Sequence, residues 1–262
     1  MPALDAIVLA TSPYRETTLI VSLLTRSEGV IRVLARGARR KGKVQAAFEA
    51  YAWVRGEFRL PAASGKLGTA GDVGLVKSWD YLRRDLARLA YAGVGLETLG
   101  RLAEEAPPEP YYFEEACRFL TVLEDAAGPG SVLVALLLRL LHHAGFPPHP
   151  GEGLDPAAPP ATCFHHFATH RLEIARPEPD RHDGDAHRYH VMPLSGEMVR
   201  AIGEGLRRPP PLDGSWQLPA RAGREALTWL IRVWEDHLNH VLKSAEFLER
   251  MVLGSRARRG PR

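Results

Sequence analysis

The feature that most constrains the fold is a change of hydrophobic period at Trp79. Before it, apolar residues come in short β-branched or aromatic runs at 6–10, 18–25, 30–35, 51–54 and 56–60. Turn signals at Ser12-Pro13, Glu28-Gly29 and Gly37 punctuate them, and Glu28-Gly29 is predicted to turn a hairpin. Five or six short strands at this spacing predict a small closed barrel, and an oligonucleotide-binding barrel is the most attractive topology. After Trp79, Leu82, Leu86, Leu89, Ala90, Gly93, Leu96 and Leu99 recur three or four positions apart through about Glu105. That is helical spacing, with Asp80 as N-cap. The fold class is α+β.

Ala106-Pro-Pro-Glu-Pro110 stops the first helix, and Pro110 suits the first turn of the next, through Phe113, Cys117, Leu120 and Leu123. Gly128-Pro-Gly130 ends that one. Ser131 is predicted to cap a third, 132–141, apolar almost all round and so the buried centre of a helical domain. Six prolines in 147–162 mark a connection. A His-rich insert follows, then a helix over 195–206 and a last one over 221–253, with Gly254 as its cap. The division is a barrel at 1–79, a helical domain in two parts at 80–162 and 193–254, an insert at 163–192 and a disordered basic tail at 255–262.

Charge is unevenly spread along this frame. Residues 1–79 carry 12 Lys and Arg against 6 Asp and Glu, whereas 80–255 carry 18 against 25. Arg32, Arg36, Arg39, Arg40, Lys41 and Lys43 follow one another with no acidic residue between them. A basic module on an acidic body is the pattern of a polyanion binder, and the alternative is a solvated loop. Phe48, Tyr51, Trp53 and Phe58 lie near enough to supply stacking faces, with barrel core as the competing role for them. No base-reading motif accompanies the charge, so binding should tolerate sequence and weaken steeply with salt.

Catalytic patterns are absent from the sequence: it has neither a phosphate-binding Gly-x-x-x-x-Gly-Lys-Ser/Thr loop nor a Gly-x-Ser-x-Gly turn. An enzyme is not indicated. No apolar stretch is long enough for a membrane span, no secretory signal is visible, and two unpaired cysteines, Cys117 and Cys163, suit a reduced cytoplasm.

The insert holds a candidate metal site. Cys163-Phe-His-His166 and His187-Arg-Tyr-His190 are two pairs at knuckle spacing, each predicted to place two ligands on one tight turn. Cys163, His166, His187 and His190 would close a structural zinc shell, with His165, His170 or His182 able to replace one of them. A metal-free loop with solvated histidines is the alternative.

The chain resembles the bacterial RecO family of repair and recombination mediators. The resemblance lies in Tyr14-Arg15-Glu16-Thr17-Thr18 with Leu24-Thr25-Arg26-Ser27-Glu28-Gly29 and Ala35-Arg36-Gly37-Ala38-Arg39-Arg40, in the helix exit Gly145-Phe146-Pro147-Pro148, and in Lys243-Ser244-Ala-Glu-Phe247-Leu248. It implies an oligonucleotide-binding barrel, a helical domain and a zinc-type insert. It also implies binding of single- and double-stranded DNA, strand annealing, and cooperation with RecR in loading recombinase onto DNA coated by single-strand-binding protein. Such a protein would be cytoplasmic and nucleoid-associated. Arg15, Arg32, Arg36, Arg39, Arg40, Lys41 and Lys43 are its candidate DNA contacts. Two readings of other classes stand beside it: a zinc-dependent nuclease or hydrolase, and a non-catalytic scaffold.

Overall fold

A computed structural model describes residues 3–39, 47–60, 67–175 and 191–253. They fall into two compact units, Met1–Asp125 and Ala126–Arg262. Among the described residues no helix is long and apolar enough to cross a membrane.

The first unit contains a closed barrel of β1 (Leu4–Arg15), β2 (Thr18–Thr25), β3 (Val30–Ala35), β4 (Trp53–Arg59) and β5 (Gly68–Lys77), in the order β1-β2-β3-β5-β4. All neighbours are antiparallel except β3 and β5, which meet at Val33↔Gly68 and Leu34↔Thr69. This is an oligonucleotide-binding-like barrel. Because strand side chains alternate, Val54, Gly56 and Phe58 of β4 face inward while Arg55, Glu57 and Arg59 face outward. Val8, Val21, Leu23, Val33, Val54 and Phe58 fill the interior together with Phe48, which sits between β3 and β4. Gly68 is required where β3 and β5 close the barrel: a Cβ there would lie 2.7 Å from the Arg59 carbonyl oxygen.

Three features of the strands differ from the sequence expectation, the first being that the runs at 51–54 and 56–60 form one strand, β4. β1 runs through Ser12-Pro13 and turns only at Glu16-Thr17. Past Ile7 its ladder has β2 as its sole strand partner among the described residues, so this stretch is an edge that tolerates a missing proline N–H. β5 has no counterpart in the sequence reading, because Gly68, Gly71 and Gly74 dilute its β-branched signal.

The same unit takes in α1 (Asp80–Arg84), α2 (Leu86–Glu105) and α3 (Pro110–Asp125). Asp85 caps α2 by accepting from the amides of Ala87 and Arg88 at 2.9 and 3.2 Å, so Asp85 and not Asp80 starts the long helix. The barrel meets α3 around Asp5. Its carboxylate accepts from Trp53 Nε1 at 2.9 Å and from Arg55 Nε and Nη2 at 2.9 and 2.7 Å. Trp53 stands edge-on to Phe113 at 5.6 Å, and Arg26 lies 4.6 Å over the same ring while pairing with Glu114 at 2.8 Å.

In the second unit α4 (Pro129–His143) is buried from Ser131 to Leu138, as its apolar sequence predicts. Its N-cap is Gly128; the Ser131 hydroxyl instead accepts from the Leu218 amide at 3.0 Å. A small sheet follows, β6 (His149–Pro150), β7 (Thr162–His166), β8 (Arg171–Glu173) and β9 (Val191–Ser195), in the order β6-β8-β7-β9. Ser195 caps α5 (Gly196–Arg207), accepting from the Met198 amide at 3.2 Å. The long final helix of the sequence reading is two. α6 (Ala220–His237) ends where Asn239 adopts φ 45°, and α7 (Lys243–Leu248) runs on into a π-helical turn, Glu249–Leu253. Gly254 and the tail lie outside the described residues.

Candidate nucleic-acid interface

The described candidate arginines separate into two groups. Arg15 ends β1 and Arg36 and Arg39 follow β3; because Leu19 pairs with Ala35, the β1–β2 turn and the exit of β3 lie at one end of the barrel. Arg39 ties them together. Its amide donates to the Thr17 carbonyl at 3.4 Å and its Nη1 to the Arg15 carbonyl at 3.1 Å. Gly37, at φ 73°, makes the tight turn between Arg36 and Arg39. Arg15, Glu16, Thr17, Thr18 and Arg36 line a concavity of about 830 Å³. Arg15, Arg36 and Arg39 are exposed, and among the described residues no carboxylate forms an ion pair with any of them.

Arg32 is different. Its guanidinium pairs with Glu104 of α2 at 3.1 Å. Arg26, Arg55 and Arg83 are likewise matched to Glu114, Asp5 and Glu49. Arg26 and Arg32 of the barrel thus pair with helix carboxylates, Arg83 of α1 pairs with Glu49 between β3 and β4, and Arg55 pairs within the barrel, whereas among the described residues Arg15, Arg36 and Arg39 at the hairpin end have no ion-paired carboxylate. Arg40, Lys41 and Lys43 lie outside the described residues.

The four aromatic candidates are structural. Phe48 and Phe58 are in the barrel core, at 4% and 3% exposure. Trp53 is engaged by Asp5 and Phe113. Tyr51 sits in left-handed backbone at φ 67°, and burial, then Glu97, pushes its phenol up. The aromatic beside the arginines is one that sequence reasoning overlooked, Tyr14, which is 49% exposed. Its sequence signals were its place next to Arg15 and in the block Tyr14-Arg15-Glu16-Thr17-Thr18, neither of which marks it as a stacking face.

The insert's knuckle geometry is not that of a turn. Cys163 and His166 lie on β7, which pairs in unbroken register with β9 from Thr162↔Ser195 to His166↔Val191. An odd spacing on a strand sends two side chains to opposite faces. Cys163 is fully buried, its thiol pushed up by burial, and His166 Nδ1 is 2.9 Å from the Thr169 hydroxyl. These two residues thus do not fit one half of a zinc shell. His187 and His190, like His182, lie outside the described residues. Among the described residues no group of three or more His, Cys, Asp or Glu side chains could hold a metal.

His165, which shares the Cys163 face, is fully buried against Phe167 and Trp229, with ring centroids at 4.6 and 5.4 Å. Burial, then the charges of His170 and His166, pushes it down to about 3, so it is a neutral core ring at physiological pH.

The family models described as Recombination protein O N terminal and Recombination protein O C terminal match residues 1–79 and 83–150. A protein of Myxococcus xanthus named DNA repair protein RecO is 31% identical over 263 residues, covering 95% of this chain and 97% of its own. The chain belongs to the RecO family. Family members of Bacillus pumilus and Bacillus subtilis, also named DNA repair protein RecO, are each 34% identical, over 144 and 145 residues. Those matches span 55% of this chain and 56% of each RecO relative, little more than half their length.

Proposed function

We propose that the barrel binds the backbone of single-stranded DNA through Arg15, Arg36 and Arg39, and that the chain serves DNA repair and recombination. One observation carries this reading: Arg15 and Arg36, from two chain segments, line a single concavity, Arg39 is bonded to the Arg15 and Thr17 carbonyls beside it, and among the described residues no carboxylate is ion-paired to any of the three. Guanidinium groups with no such partner release condensed counterions when they meet phosphates, which is the dominant source of sequence-independent affinity. The relatives' name, DNA repair protein, supports the biological setting.

Strand annealing follows from the same physics. It needs the repulsion between two phosphate chains screened while their bases stay accessible, and no bond is made or broken. Double-stranded DNA offers the same phosphates and binds the same arginines. Cooperation with RecR in loading recombinase onto DNA coated by single-strand-binding protein is proposed from family membership; no residue here is assigned to either partner.

The test is a titration of end-labelled single-stranded DNA with the whole chain, followed by its complement. Saturable binding and full-length duplex are expected. Shortened product would favour a nuclease, and absence of binding would leave a scaffold.

A further inference from the structure

A cationic concavity holds a backbone but leaves open what meets the bases. In a regular strand Tyr14 and Arg15 would project to opposite faces. β1 is irregular at this point. Pro13 pairs with Leu19 and Arg15 with Thr18, so three residues of β1 span two of β2 and Tyr14 is the extra one. A bulge of this kind re-aims a side chain. The result is visible in the contact between neighbours: the Arg15 guanidinium carbon lies 5.4 Å from the centre of the Tyr14 ring, so both groups project to one side. Arg15 also lines the concavity with Arg36, and Tyr14 remains 49% exposed at the rim of an otherwise exposed hairpin end, Thr11–Arg15.

We propose that Tyr14 is a base-stacking residue, taking one unpaired nucleobase on its ring while Arg15, Arg36 and Arg39 hold the adjoining phosphates. This rests on the DNA-binding reading above and deepens it. Every base has a π-face, so a single tyrosine adds affinity without adding sequence preference. The Arg15 guanidinium against the ring restrains it by a cation–π contact and so reduces what must be ordered on binding. Stacking releases no counterions, which separates the tyrosine's contribution from that of the arginines in the salt dependence.

The experiment compares wild type, Tyr14→Ala, Tyr14→Phe and the Arg15→Ser/Arg36→Ser/Arg39→Ser variant. Each is titrated with a single-stranded thymidine oligonucleotide and with an abasic strand of equal length, at two salt concentrations. Tyr14→Ala should weaken thymidine binding about five-fold or more, by the same factor at both salt concentrations, and leave abasic binding unchanged. Tyr14→Phe should bind as wild type. Unchanged abasic binding also shows that the alanine variant is folded with its arginines in place. The proposal is overturned if Tyr14→Ala binds thymidines like wild type, or if it loses both ligands equally. In either of those cases a weakened arginine variant leaves the backbone-binding reading standing. A wild-type chain that binds neither strand overturns both readings.

Discussion

Replacing Asp5 should loosen the barrel at its seam with α3, by an amount that depends on what replaces it. Asp5 is 14% exposed, and its carboxylate holds Trp53 Nε1 at 2.9 Å and Arg55 by two bonds. A hydrogen bond to a charged acceptor contributes roughly 1.5–3 kcal/mol. The Trp53 bond falls in the lower half of that range because the indole is only half-buried. The Arg55 guanidinium is exposed, and water screens most of what it adds. Asp5→Ala should therefore cost about 2 kcal/mol, the Trp53 donor being left without its acceptor. Asp5→Asn keeps a neutral acceptor and should cost roughly half as much.

The pH dependence carries a second signature. The bonds from Arg55, and then from Trp53, hold the Asp5 carboxyl below its ordinary value against the opposing effect of burial. A carboxylate depressed in the folded state stabilises above its unfolded pKa, and that stability is lost as pH falls through the folded value. Below about pH 4 the wild type should thus lose stability that Asp5→Asn never had. Hydrogen exchange of barrel peptides under increasing urea reads this unit by itself. Equal stability of wild type and Asp5→Ala, or the same acid loss in wild type and Asp5→Asn, would refute the reasoning.

Other substitutions probe the remaining parts. Gly68→Val drives its side chain toward the Arg59 carbonyl oxygen, 2.7 Å from the Cβ position, and toward a Val33 methyl. It should cost about 3 kcal/mol or prevent barrel closure, seen as loss of exchange protection in β3 and β5. Cys163→Val, at a fully buried strand position, should leave melting temperature and bound zinc, measured by mass spectrometry, unchanged. Stoichiometric zinc lost on that change would make Cys163 a ligand. Cys117, pushed up to about 12 chiefly by burial, should resist alkylation at pH 8 until the first unit is unfolded.

What the sequence revealed and what it hid follow from the range of the interactions involved. Alternation of apolar residues is local, so β2 and β3 were legible, as was the change to helix after Trp79. β5 was not, since its place is determined by pairing with β4 across the barrel, with glycines where neighbours come close. Asp80 and Asp85 are both competent caps; the break between α1 and α2 decides for Asp85. Within the candidate site, Arg36 and Arg39 were visible as charge. That Arg32 is matched to Glu104, 72 positions later, could not be read from a run of basic residues. Tyr14 was hidden for a related reason. Its direction depends on a one-residue mismatch between two strands, which leaves no mark on either alone.

The central claim is that Arg15, Arg36 and Arg39 hold phosphates and Arg32 does not. It is tested most directly by the slope of log affinity for single-stranded DNA against log salt concentration. Each phosphate contact contributes about −0.7 to that slope on a single strand. Changing all three arginines to serine should flatten it by about 2, which removes roughly 20-fold of the affinity difference between 50 and 200 mM salt. Arg32→Ser should leave the wild-type slope in place. A triple variant with the wild-type slope, or an Arg32→Ser variant that flattens as much as the triple, would contradict the account.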